Sequence, residues 1–163
     1  MLWIKTLARQ IETTPLGTAI SQSAWMFPTI ETVHVIAIAL VVGSIAILDL
    51  RLLGLSWTRR PVSEIADEIL PWTWTAFTVA ALTGSLMFVS AASKYAVNPP
   101  FLIKMALMAL AGLNMAVFHH VSFPRAALWD ARPPAAARLA GALSLLFWIG
   151  IVACGRLIGF TIQ

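Results

Sequence analysis

The sequence predicts an all-α integral membrane four-helix bundle, led by an amphipathic helix lying at the membrane interface. Three observations point to it. Hydrophobic residues make up 60% of the 163-residue chain and charged residues 11%, where a soluble domain holds roughly 45–50% and about 25%. Four apolar stretches are each long enough for the about 20 helical residues that cross a hydrocarbon core. Pro28, Pro71 and Pro100 stand at the starts of three of them, where a missing N–H costs nothing. Helices are required because lipid cannot satisfy open backbone groups. The length allows a single domain over residues 1–163.

Residues 1–27 form the interfacial segment. Trp3, Ile4, Leu7 and Ile11 recur at helical spacing, with Lys5, Arg9 and Glu12 elsewhere around the wheel. No continuous apolar stretch marks this segment as a cleavable signal, so the full chain is expected to be retained. Thr14-Pro15 breaks the helix, and a second short helix follows towards Trp25. The spans are expected at about 28–53, 71–92, 100–121 and 138–160. In the loop from Ser56 to Leu70, Ser63 is placed to cap a short helix carrying Ile65 and Ile69.

Arg51, Arg59, Arg60, Arg125, Arg132 and Arg138 flank the connections on one side, against Lys94 close to the spans on the other. The positive-inside rule then puts both termini outside, in the periplasm for a multi-pass protein of the bacterial inner membrane. The formal net charge of +4 comes with no basic run, so it reports topology and gives no reason to expect nucleic acid. Trp25, Trp57, Trp72, Trp74 and Trp129 fall near the predicted interfaces. Gly43-Ser44 and Gly84-Ser85 fall mid-span, where small residues let helices approach, and Asn114 calls for an interhelical partner.

Ionisable groups inside spans are expensive, and each needs a reason. Glu31 and His34 share a face of the first span. Lys104 enters with the third span and Arg156 leaves with the fourth, so all four fall at one depth in the outer leaflet. They are either ion pairs and snorkelling cations that lock the bundle or a ligand site with His34 as metal ligand, haem ligand or proton carrier. A second polar cluster, Asp49, Arg51, His119 and His120, falls at the inner end with Arg125. Span-end charges and histidines can reach interfacial water, but Asp49 is set one turn inside and calls for a cationic partner. His34 and His119 differ in depth by roughly 20 Å at 1.5 Å per residue, so they cannot share one metal or one haem. Met26, Met87, Met105 and the single cysteine, Cys154, fall in the outer half and would suit copper(I) beside His34. Methionines in an apolar chain are more often packing. One cysteine excludes an internal disulfide and a multi-cysteine metal site. Neither phosphate-binding loops nor nucleophile or zinc-protease motifs occur, and no residue is assigned a catalytic role.

The stretches Glu31-Thr-Val-His34, Val-Gly-Ser, Asp49-Leu-Arg51-Leu-Leu-Gly54, Phe101-Leu-Ile-Lys104, Asn114, His119 and Gly155-Arg156 resemble an uncharacterised family of small bacterial four-helix membrane proteins, over nearly the whole chain. More distantly, the early histidine with its small-residue patch and the later Leu-x-x-Lys resemble the membrane domain of the copper resistance protein D family and HemJ-type protoporphyrinogen oxidases. The first resemblance implies copper handling and the second haem b with redox chemistry, His34 and Lys104 being the positions that carry over. The expected function is therefore metal or cofactor handling at the outer-leaflet site, copper ahead of haem b. The alternatives are a structural or assembly subunit that docks a periplasmic or membrane partner, and a haem-linked membrane oxidoreductase. The mid-span small residues would permit a homodimer.

Overall fold

The computed structural model describes residues 2–123, 129 and 133–162, except for the side chains of Leu2, Ile4 and Ser122. Arg125, Arg132 and the side chain of Ile4, all used above, lie outside the described residues. The described chain is helical, with no strand. Helix α1 spans Leu2–Glu12, α2 Pro15–Gln22, α3 Met26–Leu53, α4 Val62–Ser90, α5 Ala92–Tyr95, α6 Pro99–Val117 and α7 Ala135–Thr161. A π-helical turn, Phe118–Ser122, continues α6.

Helices α3, α4, α7 and α6 with its π-helical start are 28, 29, 27 and 23 residues long and apolar enough to cross a bilayer. Their outward faces carry no polar stripe. Leu40, Leu82, Leu113, Leu146 and Ile149 are 61–64% exposed. A helix bundle that is apolar on its outside as well as its inside is solvated by lipid, so the chain is a multi-pass membrane protein. Trp25, Trp57, Trp72 and Trp74 are all exposed, and Trp148 is buried.

The N-terminal break forms where Thr14 caps α2 by accepting from the Gly17 N–H at 3.2 Å. Glu12 ties α1 to α5 by accepting from the Ser93 N–H and hydroxyl. Gly17 sets the docking of α2, since a Cβ there would stand 2.5 Å from the Glu12 carbonyl oxygen and 3.0 Å from that of Val89. Helix α3 ends at Gly54, whose φ of 75° lets the Gly54 and Leu55 N–H groups return to the Arg51 and Leu50 carbonyls.

The second span begins earlier than expected. Val62 to Leu70 is no separate helix capped by Ser63; it is the first part of α4, which follows Pro61 with no side-chain cap. Val62, Ile65 and Ala66 are 0–2% exposed, and this burial keeps the rod continuous through Pro71. Proline inside a helix lacks the N–H that would reach the carbonyl four residues back, here that of Asp67. Beyond the loop end of α3, Arg60 binds Glu64 and Glu68, each at 2.6 Å. The Glu68 bond and then the Glu64 bond hold its guanidinium protonated beyond the ordinary range.

Helix α3 packs against α4 and α7, and α6 packs against α7. The order across the bundle is thus α4, α3, α7, α6, and the outer pair, α4 and α6, is not among the closely packed pairs. One buried cluster joins Val41, Ala76, Trp148 and Ile151. A second, towards the α3–α4 loop, joins Leu52, Val62, Phe118 and Ala137. Close crossing of α3 and α7 depends on Gly141, where a Cβ would meet Leu52 Cβ at 3.1 Å and the Asp49 carbonyl at 3.2 Å. Asn114 finds its interhelical partner, donating to the Ala140 carbonyl at 2.9 Å. Ser44 likewise accepts from the Thr73 hydroxyl across α3 and α4 at 2.8 Å.

Candidate functional site

His34 is half-buried on α3 and faces α4. Its ring lies against Gly84, where a Cβ would stand 3.0 Å from Cε1, so the glycine makes the space the imidazole occupies. Nδ1 is 2.9 Å from Thr83 Oγ1. The Thr83 hydroxyl donates its only proton back along α4, to the Val79 carbonyl at 2.7 Å. With its proton on that carbonyl, Thr83 Oγ1 accepts from Nδ1–H; a hydroxyl turned to the ring instead goes with the other tautomer. The Ala80 carbonyl is a further acceptor facing the ring. In the Nδ1–H tautomer Nε2 is left with the lone pair, the arrangement by which a fixed histidine presents a ligating nitrogen.

Lys104, half-buried on α6, lies close enough to feel both the His34 imidazole and the Cys154 thiol. Its ammonium nitrogen would be 3.7 Å from a Cβ on Gly155, so α7 leaves room for it by two residues in a row: a buried thiol and a glycine. The ammonium makes no hydrogen bond among the described residues. His34, Thr83, Lys104 and Cys154 thus form one polar group contributed by all four spanning helices.

The other expected members stand apart from it. Glu31 is exposed, and its described electrostatic neighbour is Tyr95, whose phenol is pushed above its ordinary range by burial first and by this carboxylate second. Arg156 is exposed and lies over the Phe160 ring, 4.7 Å from its centroid. Met26 and Met105 are exposed, 41% and 45%, and Met87 is half-buried. Among the described residues no three of His, Cys, Asp and Glu gather at metal-holding spacing, and no ion pair joins Glu31, Lys104 or Arg156.

The inner cluster divides too. Asp49 is 4% exposed, and among the described residues it has no cation paired with it, contrary to expectation. Arg51, also buried, is two residues on and therefore about 200° around the helix. Its Nε donates to the Arg60 carbonyl at 2.8 Å, so it clamps the α3–α4 loop. His119 and His120 are exposed within the π-helical turn, and the His119 ring stacks on Phe123 at 4.9 Å. Only Asp49 and His119 of this set line the same cavity.

Thr83 is the site residue that sequence reasoning missed. Its signal was its place directly before the Gly84-Ser85 pair, which pointed to a close helix approach without naming what approaches. No curated protein and no solved structure matches the chain. The family model described as Family of unknown function (DUF6644) matches residues 10–161. With nearly the whole chain covered, the protein belongs to that family.

Proposed function

We propose that this protein handles a membrane-embedded cofactor at the His34 site, with haem b ahead of copper. The observation that carries the reading is the Thr83–His34 hydrogen bond, which orients the imidazole and, in the Nδ1–H tautomer, leaves Nε2 as a ligating nitrogen. A haem brings four nitrogens of its own and asks the protein for an axial ligand. A copper ion bound through side chains draws on several soft or imidazole donors. The described donor set near His34 is an imidazole with one thiol in the neighbourhood, and two of the expected thioethers, Met26 and Met105, are exposed. The donor chemistry therefore reverses the order expected from sequence. Lys104 supplies a cation for carboxylate groups of such a cofactor, and the site's depth in a span keeps that attraction from being screened by water. The excess of arginines in the connections at the opposite end supports a reading in which this end of the bundle lies on the outer side of a bacterial inner membrane.

The test is an absorption spectrum, oxidised and dithionite-reduced, of detergent-purified protein before and after reconstitution with haem, with elemental analysis of the same samples. The expected result is a Soret band that His34→Ala abolishes and Lys104→Met weakens. A folded wild-type protein that stays colourless after reconstitution, or a Soret band untouched by His34→Ala, overturns the reading. Copper retained without a Soret band restores the copper alternative.

A further inference from the structure

At the other end of the bundle from His34, the gap between α4 and α6 holds a cavity of about 270 Å³. Helices α3 and α7 form its back, through Leu48, Asp49, Ser144 and Trp148. Helices α4 and α6 form its sides, through residues that include Trp74, Phe77, Met108 and Met115. Trp74 is 51% and Met115 40% exposed, so the rim faces the lipid. The volume is at the small end for a ligand pocket, and the mostly apolar lining with few polar groups is the usual composition of one.

One group contradicts a purely packing role. Asp49 is buried, its Oδ2 has no hydrogen-bond partner, and it lines this cavity. Ser144 is a hydrogen-bond partner of the carboxyl, so the unpartnered atom is Oδ2 alone. Asn114, which also lines the cavity, has its amide committed to the Ala140 carbonyl. His119, at the same cavity, is stacked on Phe123 and exposed. A carboxyl oxygen left unpartnered in an apolar space is costly, and an ionisable group within a span normally has a charged partner, which Asp49 lacks among the described residues. Trp74, Phe77, Phe118 and Trp148 line the same volume, and aromatic rings attract cations most strongly where water is excluded.

We propose that the α4–α6 cavity binds a compact lipophilic amine from the bilayer, with its ammonium on Asp49 and its apolar body against the aromatic wall. This site is separate from the His34 site, and neither proposal depends on the other.

The experiment is calorimetry of the full-length protein in lipid nanodiscs, with empty nanodiscs as the blank. The probes are 1-adamantylamine and its uncharged counterpart 1-adamantanol. The expected result is saturable binding of the amine, at least tenfold weaker binding of the alcohol, and a tenfold or greater loss of amine affinity in Asp49→Asn. Gly112→Leu is the second variant. Gly112 lines the cavity and is exposed, and a Cβ there meets nothing within 4 Å, so a larger side chain enters at the cavity wall without a backbone clash. It should abolish amine binding with unchanged thermal stability. Equal binding of amine and alcohol, no saturable amine binding, or amine binding unaffected by both variants would each overturn the proposal. Loss of haem or copper in His34→Ala bears only on the other site.

Discussion

Thr83 decides what His34 can do. A histidine in a span with no fixed partner samples both tautomers, whereas here one edge of the ring faces a hydroxyl that has a carbonyl for its own proton. Nitrogen-15 NMR of labelled imidazole should therefore show the proton on Nδ1 in the wild type and a mixture of tautomers in Thr83→Val. A wild-type spectrum with the proton on Nε2 would contradict the assigned network and remove the open donor. The site was partly legible in the sequence. His34 and Lys104 share a depth, and depth can be counted from span starts. Glu31 and Arg156 share it as well, yet both are exposed, because depth along a helix says nothing about which way round the helix a residue faces relative to neighbours of unknown order. Thr83 was illegible for a related reason, since threonine in an apolar span is ordinary until the residue opposite it is known.

Among the elements, the N-terminal pair shows how backbone contact is written into one residue. Gly17 is buried between the Glu12 and Val89 carbonyls, and neither of those backbone atoms can rotate away as a side chain would. Gly17→Ala should cost about 1–3 kcal/mol, the range for overpacking a filled site, read as a lowered thermal midpoint in detergent. An unchanged midpoint would mean that α2 is not held against α4 in solution. Span existence was the most legible feature of the fold, because an apolar run of about 20 residues has few other solutions. The start of α4 was not. Pro71 carries a helix-start preference, and the residues before it read as a loop holding a separate short helix capped by Ser63. What overrode both was tertiary burial of Val62, Ile65 and Ala66, for which the alternation of charges in that stretch gives no warning. The cavity was also beyond sequence, since an unfilled volume is a property of four helices together.

For the molecule as a whole, the proposed orientation rests on the loop arginines and is open to a direct test. In a Cys154→Ser background, Lys94→Cys should react with a membrane-impermeant maleimide added to intact spheroplasts, and Arg59→Cys only after lysis. The opposite pattern would invert the bundle and bring the His34 end to the cytoplasmic side. The α4 rod, finally, is not uniform from end to end. With no proton to offer at Pro71, one rung of its ladder is missing, and the Asp67 carbonyl is without its usual donor. Opening of backbone amides spreads through contiguous cooperative units, and a missing rung is a natural seam between them. The nine residues of α4 that precede Pro71, about two and a half turns, are held by Arg60 and its two carboxylates and by the burial of Val62, Ile65 and Ala66, and hydrogen exchange across the seam should show whether they open separately from the rest of the span. Because Leu70, Thr73 and Trp74 flank that seam and line the cavity, the wall most able to breathe is the one a molecule from the bilayer would pass.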